Sequence, residues 1–284
     1  MESVAPRSAL YMPGINQRAM DKARELPCDA VIFDLEDAVA PDRKAEAREL
    51  VLAQLAAGGY GDRVLVVRAN GLDSPWGEDD LQALGSAGIT RVCLPKVSGA
   101  PTLARAATLL RHAGVNSGVC LWAMIETPEG VARVEEICAF DELEVLMMGT
   151  TDLAHELRVA HRPDRLGLQY ALSRCVNAAR ARKLSVLDGV YLDLQDADGY
   201  AAICEQGLAL GFDGKSLIHP NQIATANKIF GVSEARLTRA QRVVDAWSEA
   251  EAAGKAVAVL DGQLIEAMHV EDARRTLRQM RQIS

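Results

Sequence analysis

The segment GVCLWAMIETPEG, residues 118–130, joins a run of apolar residues to the carboxylate of Glu126, and Thr127-Pro128 follows directly. A continuous apolar run of this length is typical of a parallel strand that is buried on both faces. Proline fixes its own φ and restricts the residue before it, so the Thr-Pro pair ends the strand and fixes the backbone just beyond the acid. The segment therefore predicts a buried strand with a carboxylate at its carboxyl end.

Seven further runs of the same kind occur along the chain, at residues 8–12, 30–35, 63–69, 91–97, 143–149, 184–190 and 213–220. Segments with helical spacing of apolar residues lie between most of them, as in residues 167–183. Eight alternating strand and helix units predict an α/β fold, the (β/α)8 or TIM barrel. The alternative is a doubly wound open sheet, but that fold does not need eight repeats and no G-x-G-x-x-G follows the first strand.

The chain divides into a predicted TIM-barrel catalytic domain, residues 1–232, and a small C-terminal helical extension, residues 233–284. The extension combines a long helical stretch, the short segment AVAVLDGQLIE and a last helix. About 50 residues are too few to bury a core independently. We therefore expect the extension to pack on its own barrel or on a neighbouring subunit.

Composition narrows the possible partners. The formal net charge is -8 and no basic run is present, which disfavours binding to nucleic acid. No apolar run is long enough to span a membrane, and the first residues lack the pattern of a signal peptide. The six cysteines are widely spaced without a C-x-x-C pair, as expected for reduced core thiols. We predict a cytoplasmic protein without a nucleic-acid or membrane partner.

Polar residues follow most of the predicted strands, where a barrel builds its active site. They are Asp34, Glu36, Asp37, Arg68, Asn70, Lys96, Glu126, Asp152, Lys215 and His219. A single acid at such a position can simply cap a helix, as Asp152 could. Several acids that converge on one mouth would repel each other unless a cation were bound there. The convergence predicts a bound cation.

Glu126 and Asp152 are the predicted metal ligands. They end adjacent strands, and neither has a Cys or His partner at the spacing of a zinc site. Two carboxylates, completed by water and a chelating substrate, are the oxygen-rich ligand set that Mg²⁺ prefers. Arg68 would face the same centre with a planar fork suited to a substrate carboxylate. The pattern predicts Mg²⁺ chelated by an α-keto acid.

Three other enzyme classes are disfavoured. The segment ALGFDGKS, residues 209–216, lacks the first glycine of a phosphate-binding loop and leads into a strand. In HELRVAH, residues 155–161, the second histidine comes two positions too late for a zinc protease. No G-x-S-x-G motif of a serine hydrolase is present.

Seven motifs, in order and spacing, resemble the citrate lyase β-subunit-like branch of the HpcH/HpaI aldolase superfamily. They are RSALYMPG, DAVIFDLEDAV, VRANG, PKV, MIETPEGV, GTTDLA and GFDGKSLIHPNQI, and the match covers residues 7 to about 232, with a weaker match in the tail. The resemblance implies a (β/α)8 barrel, dependence on Mg²⁺, and cleavage or formation of a carbon–carbon bond between an acyl thioester and a small oxo acid.

The resemblance also implies roles for individual residues. It assigns Mg²⁺ to Glu126 and Asp152, and the oxo acid with its developing oxyanion to Arg68. Glu36 and Asp37 would hold the outer waters of the metal or orient Arg68. Arg68, Glu36 and Asp37 are therefore predicted to be catalytic. Arg7 and Lys96 are predicted to bind the substrate together with Arg68.

The tail departs from the family's pattern. Members with acyl-CoA lyase, thioesterase or malate synthase activity carry an acid in a G-x-M-I-D-x-P segment. The resemblance implies that this acid exchanges the thioester α-proton. Here the segment is GQLIEAMH, with Glu266 in place of Asp and Met268 in place of Pro. An extra methylene displaces a carboxylate by about 1 Å, which matters for a positioned proton transfer. We predict that Glu266 is catalytic; the alternative is that it caps a surface turn.

The predicted function is a Mg²⁺-dependent lyase. It would cleave or form a short β-hydroxyacyl thioester, such as citryl or malyl, carried by CoA or acyl carrier protein. The products would be an acetyl thioester and an oxo acid, oxaloacetate or glyoxylate. The alternatives are an aldolase acting on free pyruvate-derived hydroxy acids, and a catalytically silent protein that binds a CoA thioester or serves as a subunit of a complex. We expect a homo-oligomer, a trimer or hexamer.

Overall fold

The computed structural model describes the backbone of residues 5–283 and the side chains of residues 5–278. These residues form two compact units. The first is Ala5–Asn227, and the second begins at Lys228.

The first unit is a closed barrel of eight parallel strands in sequence order. Its strands are β1 (Ser8–Pro13), β2 (Ala30–Asp34), β3 (Val64–Arg68), β4 (Arg91–Leu94), β5 (Cys120–Ile125), β6 (Leu143–Met148), β7 (Ser185–Asp188) and β8 (Gly214–Leu217). Strand β1 pairs with both β2 and β8, which closes the ring. The predicted (β/α)8 barrel is confirmed.

Helices follow the strands around the barrel. They are α1 (Gln17–Ala23), α2 (Lys44–Ala57), α3 (Gly77–Ser86), α4 (Ala100–His112), α5 (Pro128–Ala132), α6 (Val134–Cys138), α7 (Thr150–Leu157), α8 (Gln169–Ala181), α9 (Ala197–Leu210) and α10 (Ile223–Ile229). Single 3-10 turns occupy Pro41–Arg43, Leu166–Leu168 and Pro220–Gln222. Within the described part of the chain, no helix is long and apolar enough to cross a membrane.

Alternation along the strands positions the site. Trp122 and Met124 of β5 are buried in the core cluster that fills the barrel, as are Ile32 of β2 and Val66 of β3. Successive side chains of a strand point to opposite faces, so the residue two positions beyond the last interior one also faces inward. The interior rows of β2, β3 and β5 therefore end at the mouth of the barrel in charged side chains.

The second unit contains α11 (Glu234–Ala252), an antiparallel hairpin of β9 (Ala258–Leu260) and β10 (Gln263–Ile265), and α12 (Ala267–Ile283). It encloses a small apolar cluster of its own, which includes Val243, Trp247 and Ile265. The two helices and the hairpin shield this set of mostly small side chains. That the extension packs on its own barrel or on a neighbouring subunit stays a prediction. The predicted boundary at 232/233 falls between α10 and α11.

Candidate metal centre and active site

Glu126 is the most enclosed carboxylate of the predicted metal pair. It follows β5, is 4% exposed, and accepts a hydrogen bond of 2.7 Å from the backbone N–H of Lys96. Burial raises the pKa of Glu126 to about 7, although the Lys96 N–H and Arg68 act against that rise. Gly149 makes room for this side chain, because a Cβ at that position would overlap the Glu126 carboxylate. The glycine is therefore required by the close approach of the acid.

Asp152 lies in the first turn of α7, directly after β6. Its side chain is 43% exposed, and its Oδ2 lies 3.8 Å from Nζ of Lys96. Asp152 and Glu126 line one cavity of about 420 Å³ at the mouth of the barrel. The structure thus brings together the two acids that the sequence proposed as metal ligands.

The ligand set of this cavity fits Mg²⁺. Among the side chains that the structure describes, those of residues 5–278, no group of three or more His, Cys, Asp or Glu is arranged to hold a metal by itself. Two carboxylates on the wall of an open cavity leave room for water and substrate oxygens, which Mg²⁺ retains when it binds to proteins. The charge of Asp152 also raises the pKa of Glu126, so a cation between them would relieve an existing repulsion.

Arg68, the last residue of β3, is held by a carboxylate. Its Nε and Nη2 donate to Oδ1 and Oδ2 of Asp34, each at 2.7 Å, and its guanidinium lies 4.8 Å from the centre of the Tyr11 ring. Asp34 is 1% exposed and also accepts from the N–H groups of Glu36 and Ala38. Asp34 therefore fixes Arg68 and leaves only Nη1 directed elsewhere.

Two further acids share Nη1 of Arg68. It lies 2.7 Å from Oε2 of Glu36 and 3.3 Å from Oδ2 of Asp37. Burial raises the pKa of Glu36 to about 7, since the attraction of Arg68 does not fully offset it and Asp37 adds repulsion. The buried Oε2 of Glu36 also lacks a well-directed hydrogen bond. The predicted pairing of these acids with Arg68 is present, and negative charge exceeds positive charge around it.

Lys96 lies at the rim between the metal ligands and a second cavity of about 630 Å³, which it lines together with Glu36 and Asp37. Its backbone has φ 51°, a left-handed conformation that is uncommon for a residue with a side chain. That conformation turns its N–H toward Glu126. Burial lowers the pKa of Lys96, but the neighbouring acids, Glu36 and Asp152 foremost, raise it by more. The prediction places Lys96 correctly at the mouth.

Arg7 is not at the mouth. It precedes β1 and binds Asp29, which precedes β2, so the pair lies at the amino-terminal end of the barrel. The Arg7 backbone N–H and Nε donate to Oδ2 of Asp29 at 2.9 and 2.8 Å, and Nη2 donates to Oδ1 at 2.8 Å. We therefore replace the predicted substrate-binding role of Arg7 by a structural one: it joins the starts of two neighbouring strands.

Glu266 belongs to the second unit, between β10 and α12. Its side chain is exposed, and its backbone N–H donates to Nδ1 of His269 at 3.0 Å. It thus stands at the start of α12, where the capping group is the ring of His269. A catalytic role for Glu266 stays a prediction.

Lys215 and His219 do not join the charged residues at the mouth. Lys215 is buried near the start of β8, where its Nζ lies 3.0 Å from Oδ2 of Asp188. Nη1 of Arg165 reaches the same carboxylate at 2.7 Å. His219 is exposed, and its Nδ1 accepts a hydrogen bond from the N–H of Asn221. Burial raises the pKa of Asp188, but Lys215 and Arg165 outweigh it and lower the pKa overall.

Sequence reasoning gave no role to Asp34, Asp188 or Arg165. The alternation of side chains along β2 could have predicted that Asp34 faces the barrel interior, because Asp34 continues the interior row of that strand. In the structure it is paired in register with Arg68. The ion pair of Asp188 had no comparable signal. Arg165 comes from a loop before the turn Leu166–Leu168, with a left-handed φ of 48°.

Three kinds of known protein resemble this chain. The family described as HpcH/HpaI aldolase/citrate lyase matches residues 7–220. A protein named (3S)-malyl-CoA thioesterase, from Cereibacter sphaeroides, is 47% identical over 271 residues, which cover 95% of this chain and 93% of that protein. The citrate lyase subunit beta of Escherichia coli is 34% identical over 277 residues, or 95% and 92% of the two chains.

A solved structure agrees with these similarities. CitE from Mycobacterium tuberculosis, in complex with magnesium, acetoacetate and coenzyme A, has a TM-score of 0.80 and 28% sequence identity. The match covers 98% of this chain and 99% of CitE. From the match to the family over most of the barrel and the relatives that span nearly the whole sequence, the chain belongs to the HpcH/HpaI aldolase/citrate lyase family.

Proposed function

We propose that this protein is a Mg²⁺-dependent carbon–carbon lyase that acts on a short β-hydroxyacyl thioester. The observation that carries the proposal is the cavity that Glu126 and Asp152 line together with Arg68, whose orientation Asp34 fixes. Citrate lyase beta subunits among the relatives and the CitE complex with magnesium and coenzyme A support the reaction class and the metal.

Glu126 and Asp152 would hold the metal. When bound, Mg²⁺ supplies Lewis acidity toward the hydroxyl and carboxylate oxygens of the substrate. The reaction removes the hydroxyl proton and breaks the bond between the carbinol carbon and the α-carbon of the thioester. The electron pair of that bond passes to the α-carbon and forms the enolate of the acetyl thioester, which then takes up one proton in place of the hydroxyl proton that was removed. The carbinol carbon becomes the carbonyl of the oxo acid.

The chain's own residues provide the remaining functions. Arg68 would place its positive charge near oxygens that gain negative charge, and its two hydrogen bonds to Asp34 hold its orientation. Glu36, with a pKa of about 7, is suited to hold a proton near neutral pH. The first turn of α7 lines the cavity, and its N–H groups have no partner within the helix, so they can bind a substrate carboxylate.

Product analysis tests the proposal. Purified protein is incubated with Mg²⁺ and either malyl-CoA or citryl-CoA, and thioesters and oxo acids are separated by chromatography. We expect acetyl-CoA together with glyoxylate or oxaloacetate, and complete loss of both with EDTA. Asp152→Asn should remove the activity, whereas the matched change at an exposed acid, Asp141→Asn, should leave it intact. Equal activity in the two variants would refute the assignment of Asp152.

Hydrolysis of the thioester is a second candidate. The relative that is 47% identical is named a (3S)-malyl-CoA thioesterase. The same assay separates the two activities, because hydrolysis of malyl-CoA releases free CoA and malate without acetyl-CoA. If Glu266 replaces the family's acid, Glu266→Gln should lose activity and Glu266→Asp should retain it.

We also propose that the protein forms a homo-oligomer, a trimer or hexamer, in the cytoplasm. Leu166 and Tyr170 lie four positions apart and are 64% and 70% exposed, which is unusual for large apolar side chains unless another surface covers them. All six cysteines are free, which is typical of a reducing compartment. Light scattering coupled to size-exclusion chromatography measures the oligomeric state directly.

A further inference from the structure

The ion pair with Asp34 holds the Arg68 guanidinium by one edge. Nε and Nη2 of Arg68 donate to the two carboxylate oxygens of Asp34, each at 2.7 Å. Such paired bonds lie in the plane of the guanidinium and fix that edge, but the planar group can still tilt about it. Nη1 lies on the far side from the edge, so it would move furthest in such a tilt.

The acids near Nη1 hold it less firmly. Oε2 of Glu36 lies 2.7 Å from Nη1 without forming a well-directed hydrogen bond. The side chain of Asp37 is 68% exposed, and its Oδ2 is 3.3 Å away. These two acids and Asp34 belong to one segment, residues 34–37. Support from a second direction therefore has to come from another strand.

Tyr11 on β1 provides that support. Its side chain packs against the core cluster inside the barrel, and Cζ of Arg68 lies 4.8 Å from the centre of its ring. A guanidinium over an aromatic face is attracted electrostatically, and more strongly where water is excluded. The Arg68 side chain is 8% exposed. We propose that Tyr11 is a positioning residue for the reaction: its ring supports the face of the Arg68 guanidinium, and Asp34 holds the edge.

The inference rests on the proposed function, because it takes Arg68 as the cation that serves the reacting oxygens. Tyr11 and Arg68 line the same cavity as the predicted metal ligands Glu126 and Asp152. With both its edge and its face held, Arg68 keeps one position relative to those ligands. A cation that is fixed before the substrate binds costs no reorganisation during the reaction.

The ring of Tyr11, and not its hydroxyl, carries this role. The hydroxyl lies 3.5 Å from Sδ of Met124, a weak acceptor, and the same sulfur lies 3.8 Å from Nη1 of Arg68. Burial raises the pKa of Tyr11 well above its usual value, although the charge of Arg68 acts against that rise, so the side chain is neutral at neutral pH. A neutral aromatic face attracts a cation with or without the hydroxyl. Phenylalanine should therefore replace Tyr11, and an aliphatic residue should not.

Steady-state kinetics of two variants and a control test the role in the reaction. We expect kcat of Tyr11→Phe to stay within about twofold of the wild type, and kcat of Tyr11→Leu to fall about tenfold with a smaller change in KM, as for a cation–π contact shielded from water. Phe212→Leu is the control for loss of a buried aromatic side chain, since Phe212 precedes β8 at the other end of the barrel and is 2% exposed. It should lower the thermal midpoint and leave kcat within about twofold.

Two kinetic results overturn the proposal. Equal losses of kcat in Tyr11→Phe and Tyr11→Leu would assign the role to the hydroxyl. An unchanged kcat in a folded Tyr11→Leu would make Tyr11 a core residue only. Circular dichroism verifies the fold of each variant, and Tyr11→Met, which fills more of the space, replaces Tyr11→Leu if that variant does not fold.

Crystal structures of the same metal-free proteins test the restraint independently of the reaction. Arg68 should have one guanidinium orientation in the wild type and in Tyr11→Phe, and a tilted or a second orientation in Tyr11→Leu. An unchanged single orientation in Tyr11→Leu overturns the proposal whatever the kinetics. A wild type that cleaves neither malyl-CoA nor citryl-CoA overturns the proposed function, and the structures then still decide whether Tyr11 restrains Arg68.

Discussion

Two clusters of charge differ in the balance between acids and bases. The mouth cluster lies at the mouth of the barrel and consists of Asp34, Glu36, Asp37 and Arg68. The wall cluster lies at the start of β8 and consists of Arg165, Asp188 and Lys215. Three carboxylates share one cation in the first, whereas two cations share one carboxylate in the second.

The balance decides how each cluster affects the protein. In the wall cluster the bases lower the pKa of Asp188 despite its complete burial, so the acid is stabilised in its charged form. In the mouth cluster burial raises the pKa of Glu36 to about 7, so its charge is unfavourable. A compensated buried cluster holds the fold, and removing one partner is costly. An uncompensated one reduces stability and is typical of a site that binds a ligand.

The largest expected effect on stability follows from breaking the wall cluster. Asp188→Asn leaves Lys215 and Arg165 buried without a negative partner, and we expect the free energy of unfolding to fall by about 3–5 kcal/mol. Urea denaturation measures it. Asp141→Asn, at an exposed position, should change it by no more than about 0.5 kcal/mol. A loss of less than about 1 kcal/mol for Asp188→Asn would show that the wall cluster does not hold the fold.

A substitution in the predicted metal pair at the mouth should have the opposite effect: it should lower the activity but not the stability. Asp152→Asn removes a proposed ligand, so kcat/KM should fall about 10³-fold, or about 4 kcal/mol of transition-state stabilisation. The thermal midpoint of the metal-free protein should stay constant or rise, because one of two repelling acids is gone. Steady-state kinetics and calorimetry give the two values. A lower midpoint with unchanged kinetics would make Asp152 structural.

A substitution of Asp34 tests whether this acid orients Arg68. Asp34→Asn keeps the shape of the side chain but removes the charge and one acceptor of the paired hydrogen bonds, so we expect kcat to fall about 10²-fold with a smaller change in KM. Asp37→Asn is the matched control, since Asp37 lies 3.3 Å from Arg68 and is 68% exposed. Equal losses of kcat in the two variants would contradict a positioning role that is particular to Asp34.

The smallest expected effect concerns pH. Because the pKa of Glu36 is raised to about 7 from 4.5, the folded protein binds the proton more tightly than the unfolded chain. Stability of the metal-free protein should therefore fall as pH rises from about 4.5 to above 7, and Glu36 contributes on the order of 2 kcal/mol to that fall. Glu36→Gln should flatten this slope in thermal unfolding measured across that range. An unchanged slope would contradict the unfavourable charge of Glu36.

The sequence was sufficient for the barrel because all eight strands are apolar runs of strand length, and the charged residues that follow them mark its mouth. Glu126, Asp152 and Lys96 were found in this way, since the topology brings the carboxyl ends of all strands together. Arg7 was misplaced because its motif includes residues before the strand as well as within it. Being near a strand in sequence does not tell which end of the barrel a side chain reaches.

The partners of the charged residues could not be predicted equally well. Asp34 and Arg68 are opposite each other only once the register of β2 and β3 is known. Lys215 reaches Asp188 for the same reason, through the register of β7 and β8. A shift of one residue in register would send each side chain to the other face of its strand. The small apolar cluster of the second unit is likewise formed only when its two helices and its hairpin come together, which the sequence pattern alone does not show.

The most direct test of the metal centre is binding of a divalent cation to the free protein. Mn²⁺ in place of Mg²⁺ is followed by electron paramagnetic resonance, and Mg²⁺ itself by calorimetry, for the wild type, Glu126→Gln, Asp152→Asn and Asp141→Asn. We predict one site per chain in the wild type and in Asp141→Asn, and at least about tenfold weaker binding in each of the other two variants. Undiminished binding in both Glu126→Gln and Asp152→Asn would contradict the account.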